Sequence, residues 1–464
     1  MSDVRRPNLL FVFPDQMRGQ AMGFLGEEPV LTPHLDRFAG EGYVSTQAVA
    51  NYPVCSPCRA MFMTGMYAHA NHVTGNCTSR SAPYGVELQE GDRCWSDILH
   101  DRGYSLGYFG KWHLDAPRAP YIDCANNRGD LKWNEWCPPH RRHGFDFWYS
   151  YGTYDVHTRP MYWDTDATRN GFHYVDQWGP EHEADLAIEY LQNAGGRYRD
   201  PDRPFALVVS MNPPHMPYDL VPQRYVDLYG DVGIEDLCRR PNIPPAGTEW
   251  GDYYRAKVRG YYGMVSGVDE QFGRILRALG EQGLAEDTVV VFTSDHGNCL
   301  GIHNLISKNN PYEESMRVPL MIRWPGRIAP RRDDLLFSAP DLYPTLIDLL
   351  GLGEELPASV EGTSHAGILL GGEGERPGSQ LYQRIPYDKP AWGRRGIRTC
   401  RYTFVVDRMP GEPERCVLYD RVDDPYQLRE ISATRPGVVR RLTDELQVWL
   451  QRTSDPWLEP RGTE

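Results

Sequence analysis

No apolar run in the chain approaches the roughly 20 residues that a bilayer span requires, so a transmembrane helix is excluded as an organising element. No apolar stretch precedes the first strand-like segment either. The chain opens Met1-Ser2-Asp3-Val4-Arg5-Arg6-Pro7, which lacks the hydrophobic core of a secretory leader, and a cytoplasmic location is expected. Ten cysteines between Cys55 and Cys416 have no regular spacing, unlike a disulfide framework, and most are expected to be reduced core residues. Positive charge is short: 49 Lys plus Arg face 63 Asp plus Glu, a net charge of −14. Such a body repels nucleic acid and anionic membranes, so neither is expected as a partner. An anionic substrate would need a local basic pocket. Repeats and low-complexity tracts are absent.

What is present fits a large globular protein. At 464 residues, 40% hydrophobic and 24% charged, the chain can bury about three quarters of its unfolded surface. Short β-rich runs alternate with helical periods, the pattern of a large, mostly parallel sheet flanked by helices. Near-continuous apolar runs predict strands at 9–13, 105–109, 205–210 and 288–293, because a strand buried on both faces has no polar side. Helices are predicted over 34–41, 93–102, 183–193, 255–279, 341–350 and 435–451; the fourth carries Val258, Tyr261, Tyr262, Val265, Val268 and Phe272 at helical spacing. Two stretches read as loops or insertions: 116–180, crowded with aromatic, His, Arg and Pro residues, and 219–253, rich in Pro, Gly and acidic residues. Past Gly351 the composition shifts to Gly, Glu and Pro. That shift is read as the passage from a main α/β domain over 1–375 to a smaller C-terminal α+β subdomain over 376–464, with strands near 397–406 and 414–420 and a closing helix.

Ligands of open parallel sheets bind outside the carboxyl ends of the strands. The four strands are followed by Pro14, Asp15, Gln16 and Arg18; by Gly110, Lys111, Trp112 and His113; by Asn212, Pro213, Pro214 and His215; and by Ser294, Asp295, His296 and Gly297. Taken singly, an Asp after a strand caps a turn and a loop His is a satisfied polar group. Four charged ends on one sheet suggest a convergent site. Asp15 and Asp295, with Gln16 and His296, make a mostly oxygen donor set suited to Ca²⁺ or Mg²⁺, and the nitrogen donor leaves Mn²⁺ and Zn²⁺ open. In Cys55-Ser56-Pro57-Cys58-Arg59, Pro57 favours the first turn of a helix. Cys55 would then sit at a helix N-terminus that favours an anion, with Arg59 one turn on. The competing reading is a C-x-x-C redox or zinc motif. No second ligand pair follows for zinc, and thiol exchange explains none of the four strand ends.

Cys55-Ser56-Pro57-Cys58-Arg59, followed by Thr64-Gly65, resembles the C-x-P-x-R…TG signature of the formylglycine-dependent sulfatases of the alkaline-phosphatase superfamily. The likeness covers nearly the whole chain, through NLLFVFPDQMRGQAMG, TPHLDRFAGEG, GYFGKWHL, NPPHMPY, TSDHG, Lys308 with Glu314 ahead of Val318-Pro319-Leu320, and LYDRVDDPYQLREI. It implies an alkaline-phosphatase-like fold and sulfuric ester hydrolysis. By the same resemblance a maturation enzyme oxidises Cys55 to Cα-formylglycine, whose hydrate has one oxygen to attack sulfur and a second that expels sulfate by carbon–oxygen cleavage. Asp15, Gln16, Asp295 and His296 are implied as ligands of one divalent cation, Ca²⁺ first, with modified Cys55 completing the set. Arg59 is implied to hold the nucleophile, His113 to orient it, Lys111 and Lys308 to cradle sulfate oxygens, and His215 with Lys308 to protonate the leaving oxygen. Arg18 and Trp112, at the same strand ends, join Lys111, His215 and Lys308 as candidate substrate contacts. Three positions depart from the family pattern: Cys58 where Ser is usual before Arg59, Gln16 where many members carry a second Asp, and Asn298 where Glu is common.

The expected partner is a sulfated small molecule or oligosaccharide, with segment 116–180 supplying aromatic walls for sugar rings or, equally, a second small aromatic core. A phosphonate monoester or phosphodiester hydrolase on the same scaffold is the alternative chemistry. An unmodified protein that binds sulfated glycans without cleaving them is the alternative from another class. A mutase of the superfamily would carry Ser or Thr at the nucleophile, which the cysteine signature argues against. The oligomeric state is left open.

Overall fold

In the computed structural model the described residues are 6–459; Met1 to Arg5, on which the absent-leader reading partly rests, lie outside them. Strand β1 (Asn8–Val12) sends Leu9 and Phe11 into one hydrophobic core and Leu10 and Val12 into another, which is why no polar residue interrupts the run. The remaining strands of the large sheet are β2 (Tyr43–Ser45), β3 (Ser105–Lys111), β4 (Phe147–Tyr151), β5 (Met161–Asp164), β6 (His173–Tyr174), β7 (Phe205–Ser210), β8 (Thr288–Thr293), β9 (Leu320–Arg323) and β10 (Arg331–Asp333). Their spatial order is β10-β2-β9-β8-β1-β7-β3-β4-β5-β6. The centre, β8-β1-β7-β3-β4, is parallel throughout, so all its carboxyl ends face one edge.

Helices Cys55–Thr64, Trp95–Asp101 and Leu342–Leu349 cover one face, and Pro33–Glu41, Gly179–Gln192 and Glu249–Glu281 cover the other. The last begins at Glu249 rather than at 255, because the Thr248 hydroxyl caps it by accepting the Gly251 N–H at 3.2 Å. Segment 116–180 is not a free insertion: it supplies β4 to β6 and a small core with Ile122, Tyr151, Tyr154, Met161, Tyr162 and Trp163.

The C-terminal region is a separate antiparallel sheet of β11 (Ser379–Arg384), β12 (Gly393–Thr399), β13 (Tyr402–Arg408) and β14 (Arg415–Asp420), in that order. Helix Pro436–Arg452 packs on it through Leu442, Leu446 and Leu450. The single strand expected at 397–406 is a hairpin that turns between Thr399 and Tyr402. Strand β11, unmarked in the sequence, buries its polar residues in bonds: Gln380 donates to the Phe337 carbonyl at 2.9 Å and Gln383 to Asp455 Oδ2 at 2.9 Å.

This sheet is clamped to the main body by Arg398. Its fully buried guanidinium donates to both Glu313 oxygens at 2.7 and 2.8 Å, to Gln380 at 2.8 Å and to Gln47 at 2.8 Å. Arg421 also bonds Glu313, at 3.1 Å. Arg398→Leu is expected to cost about 3 kcal/mol, the low end for a broken buried pair because Arg421 remains. A denaturant titration followed by tryptophan fluorescence measures it; an unchanged midpoint would mean the clamp contributes nothing to stability.

Candidate active site

The parallel strands deliver their polar ends to one point. Asp15 follows β1, Lys111 ends β3, Asn212 and His215 follow β7, and Asp295 and His296 follow β8. Cys55 is the first residue of helix Cys55–Thr64, after an extended Val54. Its Sγ lies 3.1 Å from Lys308 Nζ, 3.3 Å from His296 Nε2, 3.7 Å from Asp15 Oδ1 and 3.9 Å from Lys111 Nζ. Gly110 makes the approach of Lys111 feasible: its φ is 91° and a Cβ there would meet the Ser210 carbonyl at 2.2 Å.

Arg59, one turn along the helix, is almost fully buried and bonds Asp295 Oδ2 at 2.9 Å, Asp15 Oδ2 at 3.1 Å, and the Lys111 carbonyl and Ser210 hydroxyl at 2.7 Å each. None of these bonds goes to Cys55. The guanidinium braces the two carboxylates and acts on position 55 through its charge. Lys111 pairs with Asp15 at 2.7 Å and donates to Asn212 at 3.1 Å. Gln16 donates its backbone N–H to Asp295 at 3.1 Å and its side-chain N–H to the Tyr218 hydroxyl at 3.0 Å, which turns its carbonyl toward Lys308 Nζ at 3.0 Å.

The electrostatics follow from burial. Asp15 and Asp295 are both fully buried. Burial opposes ionisation of Asp15, yet Lys111, Lys308, His215 and His296 hold its carboxyl well below the usual range. Burial and the adjacent Asp15 push Asp295 up. Burial and Asp15 also resist ionisation of Cys55, but Lys111, Lys308 and His296 carry its thiol well below the ordinary value. Cys58, three residues on, is the opposite case, pushed well up by burial and Asp295. All ten cysteines are free, and a Cys58 thiol that resists ionisation does not suit exchange with Cys55. His215 Nδ1 lies 3.3 Å from Asp155. Burial, Lys308 and Lys111 oppose its protonation, but Asp15 and Asp155 raise it to about 9.

The residues fit the two groups such a site requires. Asp15, Cys55, Asp295 and His296 present ligand atoms all within 4.8 Å of one another. A divalent cation among them would let both buried carboxylates ionise, which Asp295 otherwise resists. Both ring nitrogens of buried His113 lack a hydrogen-bond partner, and the ring interacts with Cys55, so oxygen added at position 55 would meet a waiting imidazole. The other cluster of this kind among the described residues, Cys94, Asp97 and His143, is a helix cap, with Asp97 accepting the Cys94 N–H at 2.9 Å.

Two expected substrate contacts are engaged by the protein's own groups. Arg18 is wholly buried, paired with Glu28 at 2.8 Å and donating to the Asn298 carbonyl at 3.2 Å. Trp112 is locked among Tyr108, Phe145 and Trp148, with its N–H on Asp115 at 2.9 Å. Asn212 and Asp155 were not among the predicted site residues. Asn212 follows a strand and could have been read there; Asp155 sits in an irregular stretch with no local signal, and it is tied to the centre by Asn212 at 3.2 Å and His215 at 3.3 Å.

The family model described as Sulfatase matches residues 7–352, and one described as N-sulphoglucosamine sulphohydrolase, C-terminal, matches residues 301–454. An endo-4-O-sulfatase of Bacteroides thetaiotaomicron is 40% identical over 97% of this chain and 93% of its own. The solved structure of yidJ from Bacteroides fragilis superposes with a TM-score of 0.95 at 50% identity, covering 98% of each chain. A Bacteroides thetaiotaomicron structure from a locus for glycosaminoglycan metabolism gives 0.89 at 38% identity, again over 98% of each.

In chelator-treated protein the His215 ring is expected to titrate near pH 9 by NMR. Asp155→Asn should lower that midpoint, since it removes a carboxylate that favours the imidazolium. A pKa raised above the unfolded value of about 6.5 contributes stability in full below that pH and loses it as pH climbs through about 9. A midpoint unmoved by Asp155→Asn would take that carboxylate out of the histidine's environment.

Proposed function

The chain belongs to the sulfatase family, and from that premise we propose that it hydrolyses a sulfate monoester on a carbohydrate, with position 55 as nucleophile. The observation that carries the reading is the Cys55 side chain, nearly buried, with Lys308 at 3.1 Å, Lys111 at 3.9 Å and His296 at 3.3 Å. Converted to formylglycine and hydrated, position 55 supplies a carbon bearing two oxygens, one to form the bond to sulfur as the sugar oxygen departs and one to release sulfate. Asp15, Gln16, Asp295 and His296 would hold a divalent cation, which would supply charge stabilisation beside that carbon, and the oxygen-rich donor set favours Ca²⁺.

The remaining work belongs to side chains. Lys111 and Lys308 flank position 55 and offer fixed positive charge to the sulfate oxygens as the sulfur–oxygen bond lengthens. Arg59 stabilises the two carboxylates that hold the cation. His113, which interacts with position 55 and has unpartnered ring nitrogens, is placed to orient a hydroxyl there. His215, with its Nδ1 3.3 Å from Asp155, is placed to donate a proton to the departing sugar oxygen. A carbohydrate as the leaving group is supported by the endo-4-O-sulfatase relative, 40% identical over nearly the full length. No helix among the described residues is long and apolar enough to cross a membrane.

Protein made with a maturation enzyme should show a Cys55 peptide lighter by the sulfur-for-oxygen exchange and two hydrogens. It should release sulfate from nitrophenyl sulfate and from a sulfated oligosaccharide. Cys55→Ala should lower kcat by more than about 10⁴-fold, His215→Asn by about 10²- to 10⁴-fold, and chelation should abolish turnover until Ca²⁺ is restored. Full turnover by Cys55→Ala would end the nucleophile assignment. Matured protein active on nitrophenyl sulfate but on no sulfated sugar would end the carbohydrate reading alone.

A further inference from the structure

A cavity of about 570 Å³ opens beside Lys308 and is floored by the C-terminal sheet. Its lining holds Lys308, Arg384, Arg394 and Arg415 against a single carboxylate, Asp407. In a chain with a net charge of −14, that concentration of cations is local and specific. The register accounts for it: Arg384 of β11 lies directly opposite Arg394 of β12, Arg394 opposite Asp407 of β13, and Asp407 opposite Arg415 of β14. The four side chains form one row across the sheet face, about 14 Å long at ordinary strand spacing.

Like charges directly opposite in an antiparallel pair destabilise it, so Arg384 against Arg394 works against the sheet that carries it. Asp407 is taken by Arg394, at 2.8 Å. Among the described residues, the Arg415 side chain reaches only the exposed Glu412, at 4.0 Å. Arg384, exposed, makes no side-chain hydrogen bond or ion pair among the described residues. Two arginines are therefore left facing the cavity with little to neutralise them. At the other end Lys308 reaches position 55, so one substrate molecule can lie over both. Arginine forks suit planar carboxylates and tetrahedral sulfates alike.

Resting on the sulfate-ester reading of the centre, we propose that this arginine row is a second anion subsite, which takes a carboxylate or further sulfate on the sugar next to the one cleaved and so selects polyanionic glycans. The test uses the full-length Cys55→Ala chain, which binds without turnover, and calorimetry. The probes are a 4-O-sulfated hexosamine–uronate tetrasaccharide, its carboxyl-reduced form, the reduced form with added 6-O-sulfate, and the 4-O-sulfated monosaccharide. Arg384→Ala and Arg415→Ala together should weaken the tetrasaccharides that retain a second anion at least 10-fold and leave the monosaccharide within about twofold. Whether carboxyl reduction alone removes the effect, or added sulfate restores it, identifies which anion the row takes. Equal weakening of every probe, no weakening of any, or no tetrasaccharide binding before substitution would overturn the subsite. Matured wild-type protein that cleaves nitrophenyl sulfate while these outcomes hold would leave the sulfatase reading intact.

Discussion

Everything else in this molecule answers to the burial of Asp15 and Asp295 side by side without solvent. Two carboxylates in that position repel each other in a medium that screens poorly. Only fixed positive charge keeps the arrangement folded. Arg59 spans both, and Lys111 takes Asp15. Because Arg59 must reach under both strand ends, its helix is pulled tight against the sheet, and the first residue of that helix is Cys55. The placement of residue 55 is thus tied to the demands of the carboxylates as well as to its own contacts with Lys308 and His296.

The same constraint explains the departures from the family pattern at Gln16 and Asn298. The Tyr218 hydroxyl receives N–H groups from both, at 3.0 and 2.9 Å. Asn298 in turn accepts the Leu300 N–H at 3.1 Å, which fixes the orientation of its amide. A carboxylate at either position could not donate to Tyr218. The two amides therefore belong together, and the neutral pair adds no third carboxylate beside Asp15 and Asp295.

How much of this the sequence disclosed depended on distance along the chain. The central strands were plain because burial on both faces removes every polar residue, and their ends pointed to Asp15, Lys111, His215 and Asp295. Strand β11 was hidden because its buried Gln380 and Gln383 are satisfied by partners more than 40 residues away. Segment 116–180 looked like loop because aromatic residues serve a small core as readily as a binding wall. Arg18 and Trp112 misled for a related reason. A charged or aromatic residue after a strand faces the ligand or the packing below it, and their partners Glu28 and Asp115 decided the outcome without any local signal.

The basic edge of the site has its own foundation in two adjacent carboxylates. Glu313 is held low by Arg398 and Arg421 against burial, and Glu314 likewise by Arg240 and His303. Glu313 thereby grips the C-terminal sheet, while Glu314 grips the main body, with Asn242 donating to it at 2.7 Å. The backbone of the same turn receives the strand end that carries Asp295: Gly297 N–H donates to the Ser315 carbonyl at 2.8 Å, and a Cβ on Gly297 would strike the Glu314 carbonyl at 2.1 Å. Lys308 lies between these anchors on a loop that lines the cavity. One short turn thus fixes Lys308, the strand end carrying Asp295 and the sheet bearing the arginine row relative to one another. Loosening it would not unmake any single contact at position 55, but would let the two ends of a charged substrate fall out of register.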